Sequence, residues 1–441
     1  MSTTAPAPTT AQDVADPQAW FDLARFGMFI HFGAYAIPAR HEWVMSRELI
    51  APEDYERYAE LFDPDRFDAR LIARTAREAG MRYAVLTTKH HEGFCLWDSA
   101  LTDYTSVTSC GRDLVAEFVE ALREEGLKVG FYHSLIDWHH PDFTIDRIHP
   151  LREAPDRAER NAGRDMARYR EYLHGQVREL LTGYGEVSYL FFDFTYPGED
   201  GKGPEDWDSE RLLAMVRELQ PGIIVNDRLG LPGDLRTPEQ YQPVAPMVDA
   251  DGQEVRWESC QTTNGSWGYD RDNLDFKSAD LLLRMVVDSV GKNGNLLLNV
   301  GPDGRGGLRR EDVEVLAEIG AWMDLHGDSV HGAGPARGIA APQGTILTQR
   351  GDRLYVHVTA WPMQSLHLQG LPRGVRAARM LHDGSEVRFR VSEQPESNVH
   401  SHMSINGLEP GTVTFTLPIR RPEVLLPVLE IRLEPEEASH A

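Results

Sequence analysis

Scarcity narrows the sequence first. Only three cysteines occur in 441 residues: Cys95, Cys110 and Cys260. They form no C-x-x-C pair and no zinc-type spacing, and an odd number argues against a disulfide framework, so buried free thiols in a reducing compartment are expected. No apolar run is long enough to cross a bilayer, which speaks against a membrane role. Positive charge is short as well: 45 Lys and Arg against 69 Asp and Glu leave a net charge of −24 at pH 7. Nucleic acid and anionic membrane surfaces would be repelled, and a neutral small substrate fits better. No glycine-rich dinucleotide fingerprint follows a strand-like run, H-E-x-x-H is missing, and nothing repeats at a fixed period. The opening stretch MSTTAPAPTTAQDVADPQ has neither a basic start nor an apolar core. It reads as a disordered segment over residues 1–18 rather than a secretory signal. A cytoplasmic location follows, with secretion left open for a chain that has lost its signal.

What is present is alternation. Short apolar runs at 26–33, 83–91, 128–134, 187–193, 222–227, 255–260 and 295–301 read as strands. Amphipathic helices are expected between them, at 68–80, 113–126, 164–185, 209–222, 278–291 and 311–327, several ending at Gly or before Pro. Such alternation gives a parallel sheet with crossover helices. Seven visible strands predict an α/β fold, a (β/α)8-like TIM barrel over 19–334 with one strand missed or degenerate. An open doubly wound sheet is the competitor. After about residue 335 short alternating runs broken by Gly, Pro, Asn and Asp predict a C-terminal antiparallel β-sandwich over 335–441.

In such barrels chemistry gathers at the C-terminal ends of the strands. Those ends carry His31, then His90, His91 and Glu92, then Tyr132 and His133, then Asp193, then Asp227 and Arg228, then Glu258. Each has a plainer explanation. A lone His is by default a core histidine bonded to backbone; Asp227 pairs with neighbours more readily than it catalyses; Trp43, Trp257 and Trp267 suit a core. A strand-end Asp commonly caps the next helix. Asp193 does not fit that role, because the loop FTYPGEDGKGPEDW separates it from the next helix. Six strands aiming polar groups at one rim outweigh the single-residue explanations.

Two carboxylates facing a pocket of histidines and aromatics point to glycosidic bond cleavage. One must stay ionised to attack or stabilise the anomeric carbon, and Asp193 suits this with Arg228 or histidines nearby. The other, kept protonated by apolar surroundings, serves the leaving oxygen. Two residues compete for it: Glu239, expected in a loop with reach over the substrate, and Glu258, expected at a strand end. Metal ligation by His90, His91 and Asp193 is the weaker reading.

The segments FGMFIHFG, HEWV, TTKHHEGFCLW, VGFYHS, VNDR, TPEQ, RWESCQTTNGSWGY and GKNGNLLLNVGPDGRG occur in this order over about residues 19–335. As a set they resemble the α-L-fucosidases of glycoside hydrolase family twenty-nine. The resemblance implies a retaining exo-α-L-fucosidase without metal or organic cofactor, acting on a fucosylated oligosaccharide or glycoside. It matches Asp193 to the family's nucleophile and Glu239 to its acid/base, with Glu258 second. It implies that His31, Glu42, Trp43, His90, His91, Tyr132, Arg228 and Trp267 surround the sugar. Phe191 departs from relatives that carry Trp there, which bears on the leaving-group side. A homo-oligomer is compatible with the resemblance. A catalytically idle fucose-binding protein and a metal-dependent hydrolase are the alternatives.

Overall fold

The computed structural model describes residues 16–393 and 408–435. Most of the expected disordered lead-in lies outside the described residues. Its last residues do not behave as expected: Asp16 accepts from Arg256 Nη2 (2.7 Å), and Gln18 Nε2 donates to the Ile223 carbonyl (3.1 Å). They fold because they neutralise a partly buried arginine at the underside of the barrel.

Seven parallel strands form the first sheet. They are β1 (Phe26–Ile30), β2 (Tyr83–Lys89), β3 (Lys128–Ser134), β4 (Tyr189–Asp193), β5 (Ile224–Val225), β6 (Glu258–Thr262) and β7 (Asn295–Val300), in spatial order β5-β4-β3-β2-β1-β7-β6. Their near-continuous apolar character has a physical cause: helices cover one face and the barrel interior the other, so both faces are buried. The covering helices start where expected. Asp68, Asp113 and Ser278 each cap the first turn, accepting from the main-chain N–H of Leu71, Ala116 and Leu281. Gly80, at φ +84°, takes the left-handed turn after the helix Ala69–Glu78.

The seven strands do not close by themselves. The gap between β5 and β6 is filled by residues 234–240. Asp234 N–H donates to the Val225 carbonyl (2.8 Å) on one side. On the other, Arg236 N–H bonds the Arg256 carbonyl, Glu258 N–H bonds the Arg236 carbonyl and Gln240 N–H bonds the Cys260 carbonyl, at 2.9–3.0 Å. Parallel bridges pair Leu235 with Asn226, Arg236 with Trp257 and Glu239 with Cys260. This is the degenerate eighth stave of the barrel. Glu239 therefore sits on the barrel wall and not on a free loop, as the sequence suggested.

Inward positions alternate along each strand. Phe29, Val85, Phe191, Cys260 and Leu297 fill the middle of the barrel, and Phe21 plugs it from below. The alternation carries the same strands upward to His31, Tyr132, Asp193 and Asn299 at the rim.

Beyond the barrel, β8 (Gly334–Pro335), β9 (Thr345–Arg350), β10 (Arg353–Val358), β11 (Ser365–Leu368), β12 (Val375–Met380), β13 (Arg388–Val391), β14 (Val413–Thr416) and β15 (Val428–Leu433) follow. They make two antiparallel sheets, β12-β15-β10-β9-β8 and β11-β14-β13. Leu354, Val356, Leu368, Met380, Phe415, Leu429 and Ile431 form the core between them. The long run AARMLHDGSEVRFRVS is two strands, split by the turn at Asp383 and Gly384. Trp322, on the last barrel helix, donates its indole N–H to the Leu426 carbonyl (3.1 Å) and ties the sandwich to the barrel. Among the described residues no helix is long and apolar enough to cross a membrane.

Candidate active site

Asp193 ends β4 at the rim. Tyr132, two residues before the end of β3, donates its hydroxyl to Asp193 Oδ2 (2.9 Å). Arg228 Nη1 lies 3.4 Å from the other oxygen, Oδ1. Burial pushes the Asp193 carboxyl up to about 6; the Arg228 cation and the Tyr132 hydroxyl pull it down, and the neighbouring Glu239 and Glu42 carboxylates push it up again. Near neutral pH Asp193 is thus an ionised carboxylate in a nearly dry setting, a condition that keeps its lone pairs reactive.

Arg228 follows the short β5 and also reaches Glu239, with Nη2 2.9 Å from Oε2. Its Nε donates to Thr237 Oγ1 (2.9 Å), and Thr237 in turn donates to Asp227 Oδ1 (2.7 Å). The degenerate stave therefore both supplies Glu239 and aims the guanidinium that spans the two carboxylates. Asp227 is a structural partner here, as its pairing with neighbours predicts. Glu239 keeps 43 % of its side chain exposed, in contrast to the apolar surroundings expected of it.

The histidines are held from behind. His31 Nδ1 is 2.6 Å from Asn299 Oδ1, and Asn299 donates its amide to the Trp267 carbonyl (2.8 Å). That second bond fixes the amide orientation, so the Asn299 oxygen accepts the His31 Nδ1–H and Nε2 carries the lone pair. His91 behaves the same way. Ser134 Oγ donates to the Ile136 carbonyl, accepts from Ile136 N–H, and so takes the His91 Nδ1–H at 2.6 Å. His91 Nε2 then faces Asp193 Oδ2 at 3.9 Å as a bare acceptor. Burial holds His31 down to about 3 and His91 well below the usual imidazole range, so both are neutral. His90 stacks on Tyr132 with ring centroids 5.4 Å apart and lies beside His91 at 4.1 Å. Both neighbours of the H-H pair face the site because β2 ends at Lys89, which frees them from strand alternation.

Glu42 is buried, and its Oε2 accepts from the Gly268 N–H (2.8 Å), which ties the HEWV turn to the SWGY loop. Trp43 meets His91 edge-on at 5.0 Å and Phe194 at 5.3 Å. Trp267 lies 5.2 Å from His31. These aromatics and histidines set an apolar wall and several acceptors around Asp193 at the rim, above the interior residues Phe29 and Phe191. Phe191 itself stacks under Tyr132 in the interior (5.8 Å) and supports the tyrosine.

Glu258 is the correction. The run VRWESC led to the expectation that it ends a strand. In fact β6 begins at Glu258, paired with Asn295 at the start of β7. Its carboxyl lies in the barrel floor, fully buried, accepting from the Tyr83 hydroxyl on one oxygen and from the Tyr189 hydroxyl at 2.8 Å on the other. It lies at the opposite end of the strands from Asp193.

The sequence reading missed Asn299, Ser134, Thr237 and Phe194. For Asn299 there was a signal: NLLLNV begins and ends its inward register with asparagine, a polar choice in an apolar stave. Phe194, next to Asp193, carries φ +120°, a strained conformation for a bulky residue. It forms an aromatic wall with Trp43 and His91. Among the described residues no three His, Cys, Asp or Glu side chains gather as ligands for a metal ion.

The α-L-fucosidase family model matches residues 2–328. The α-L-fucosidase isoenzyme 1 from Paenibacillus thiaminolyticus is 43% identical, covers 95% of this chain and 98% of its own, and superposes with a TM-score of 0.87. An α-L-fucosidase from Dictyostelium discoideum is 31% identical over 348 residues, 72% of either chain. A family GH29 enzyme from Bacteroides thetaiotaomicron, 28% identical over 95% of this chain and 97% of its own, has a TM-score of 0.80. Its structure holds a trapped covalent intermediate formed with 2-fluoro-fucosyl fluoride in a glutamate-to-glutamine variant.

Proposed function

The chain belongs to the α-L-fucosidase family, and from that premise we propose that Asp193 is its nucleophile and Glu239 its acid/base. The protein is a retaining glycoside hydrolase that releases terminal α-L-fucosyl residues from fucosylated glycans by double displacement. One observation carries the assignment of roles: a single guanidinium, Arg228, bonds both carboxylates at the barrel rim. Both carboxylates are thereby gathered around one cation, as a nucleophile and an acid/base serving a single anomeric centre require.

In the first step Asp193 attacks the anomeric carbon while Glu239 gives its proton to the departing oxygen. The C–O bond to the aglycone breaks and a fucosyl ester to Asp193 forms. Loss of the Asp193 charge leaves Arg228 with Glu239 as its remaining carboxylate partner. In the second step Glu239 takes a proton from water, whose oxygen attacks the same carbon and frees Asp193. The Tyr132 hydroxyl and Arg228 keep the carboxylate aligned in between. His31 and His91, with bare Nε2 atoms, accept from sugar hydroxyls. Trp43, Phe194 and Trp267 pack the C5 methyl and the apolar ring face. Glu42 is proposed as a further acceptor for a hydroxyl. All these groups belong to the barrel, which we take as the catalytic domain with the sandwich as its support.

Proton NMR of an aryl α-L-fucoside during hydrolysis tests the reading. α-Fucose as the first product, mutarotating later, is expected. β-Fucose first, or no turnover of any α-fucoside, would overturn it.

A further inference from the structure

Two of the three pocket histidines have a partner behind the ring that fixes the tautomer; His90 has none at hydrogen-bond distance. Its Nδ1 is buried without a partner among the described residues. The nearest complementary group is Glu92, two residues on, with Oε2 at 3.8 Å. Glu92 is itself fully buried, and neither carboxyl oxygen meets a donor at hydrogen-bond geometry among the described residues. The hydroxyls of Tyr55 and Tyr104, both close enough to feel the Glu92 charge, are orphaned too.

A carboxylate sealed among groups that do not donate to it is costly, and such a site favours the neutral acid. Burial pushes the Glu92 carboxyl well above the usual range, with its own main-chain N–H and the Lys89 ammonium offsetting only part of it. Lys89 is committed elsewhere, to Asp137 (3.2 Å) and Gln176 (3.0 Å). Burial likewise keeps His90 neutral. Of the two neutral arrangements, acid O–H to a bare Nδ1 or Nδ1–H to the acid carbonyl, the first pairs the stronger donor with the stronger acceptor. Closing the 3.8 Å gap by a small side-chain rotation satisfies two orphaned atoms at once.

We propose that Glu92 is a positioning residue for the fucosidase reaction: its carboxylic O–H donates to His90 Nδ1 and so leaves His90 with its proton on Nε2. His90 then sits in the tautomer opposite to His31 and His91. The pocket offers the sugar two acceptors and one donor, and His90 bonds the oxygen of a ring hydroxyl instead of taking its proton. The inference rests on the fucosidase reading of the site, of which it adds the polarity of one contact.

The experiment uses the full chain as wild type, Glu92→Leu, Glu92→Gln and His90→Phe. Each is assayed on an aryl α-L-fucoside and on three analogues that each lack one ring hydroxyl. Nitrogen-15 NMR of the histidine rings reads the tautomers. Glu92→Leu is expected to lose about ten- to a hundred-fold in kcat/KM on the parent fucoside. That loss should vanish on the same analogue on which the His90→Phe loss vanishes. In wild type one histidine ring, absent from the His90→Phe spectrum, should show a protonated Nε2, and in Glu92→Leu it should show a mixture. A loss of equal size on all analogues, or a wild-type His90 with a bare Nε2, overturns the proposal. If Glu92→Leu does not fold, Glu92→Gln decides, because its amide can donate or accept and no longer dictates the tautomer. Absence of turnover by wild type counts against the fucosidase reading alone; the ring spectra still judge Glu92 and His90.

Discussion

The rim and the floor of one barrel each hold acidic side chains, and they differ in almost everything else. At the rim Asp193 and Glu239 share Arg228 beside neutral histidines and aromatics. At the floor Glu258 lies sealed between two tyrosine hydroxyls with no cation in reach among its bonded partners. Burial pushes both Asp193 and Glu258 upward, to about 6 and about 7. A raised carboxyl alone therefore does not tell the rim from the floor; the bonded partners do. In the proposed roles a second acid and a shared cation set the rim apart, whereas two tyrosine donors make the floor a clamp.

The harshest way to test this contrast is to remove one carboxyl at each level. Asp193→Ala should lower kcat by about three orders of magnitude or more, with partial rescue by azide, which takes the vacated place and leaves a fucosyl azide. Steady-state assays with and without azide read this directly. Glu239→Gln should cost about a hundred- to a thousand-fold on a natural glycan, and far less on an aryl fucoside whose leaving group needs no proton. Similar losses on both substrates would remove Glu239 from the acid/base role.

Glu258→Leu should leave kcat/KM within a few-fold and act on stability instead. Two buried hydroxyls lose their acceptor, at about 1–3 kcal/mol each, which denaturant titration can resolve. The floor also has a pH signature. The Glu258 carboxyl titrates higher folded than unfolded, so its contribution is fullest below about 4.5 and is lost as pH rises toward about 7. Glu258→Gln should flatten that part of the stability profile.

The smallest expected effect sharpens the rim. Asp193 must be ionised to attack, so kcat/KM should fall as pH drops through about 6. Arg228 is the strongest influence lowering the Asp193 carboxyl. Arg228→Met should therefore move the acid limb of the pH profile to higher pH, besides weakening activity. An unmoved limb would mean that another group sets it.

The same contrast explains what could be read in advance. An apolar run leading into a carboxylate, as in YLFFD, is legible, because a parallel strand buried on both faces has few other sequences available to it. The placement of Asp193 followed from that; the helices were legible from their amphipathic stripes and the sandwich from short alternating runs between turn formers. Glu258 was misplaced because WESCQT carries no mark of where its strand starts, and a shift of three residues turns a rim into a floor. The stave at 234–240 was invisible since LRTPEQY has no strand period; its pairing comes from main-chain bonds to β5 and β6. The partners behind the histidines were hidden for a different reason. His31 and Asn299 are 268 residues apart, and only closure of the barrel brings them together.

The most direct test is to treat the wild-type enzyme with 2-fluoro-fucosyl fluoride and map the modified peptide by mass spectrometry. The account predicts one fluorofucosyl ester on Asp193, within the peptide that carries β4. A label on any other side chain, or inactivation without a covalent adduct, would contradict it.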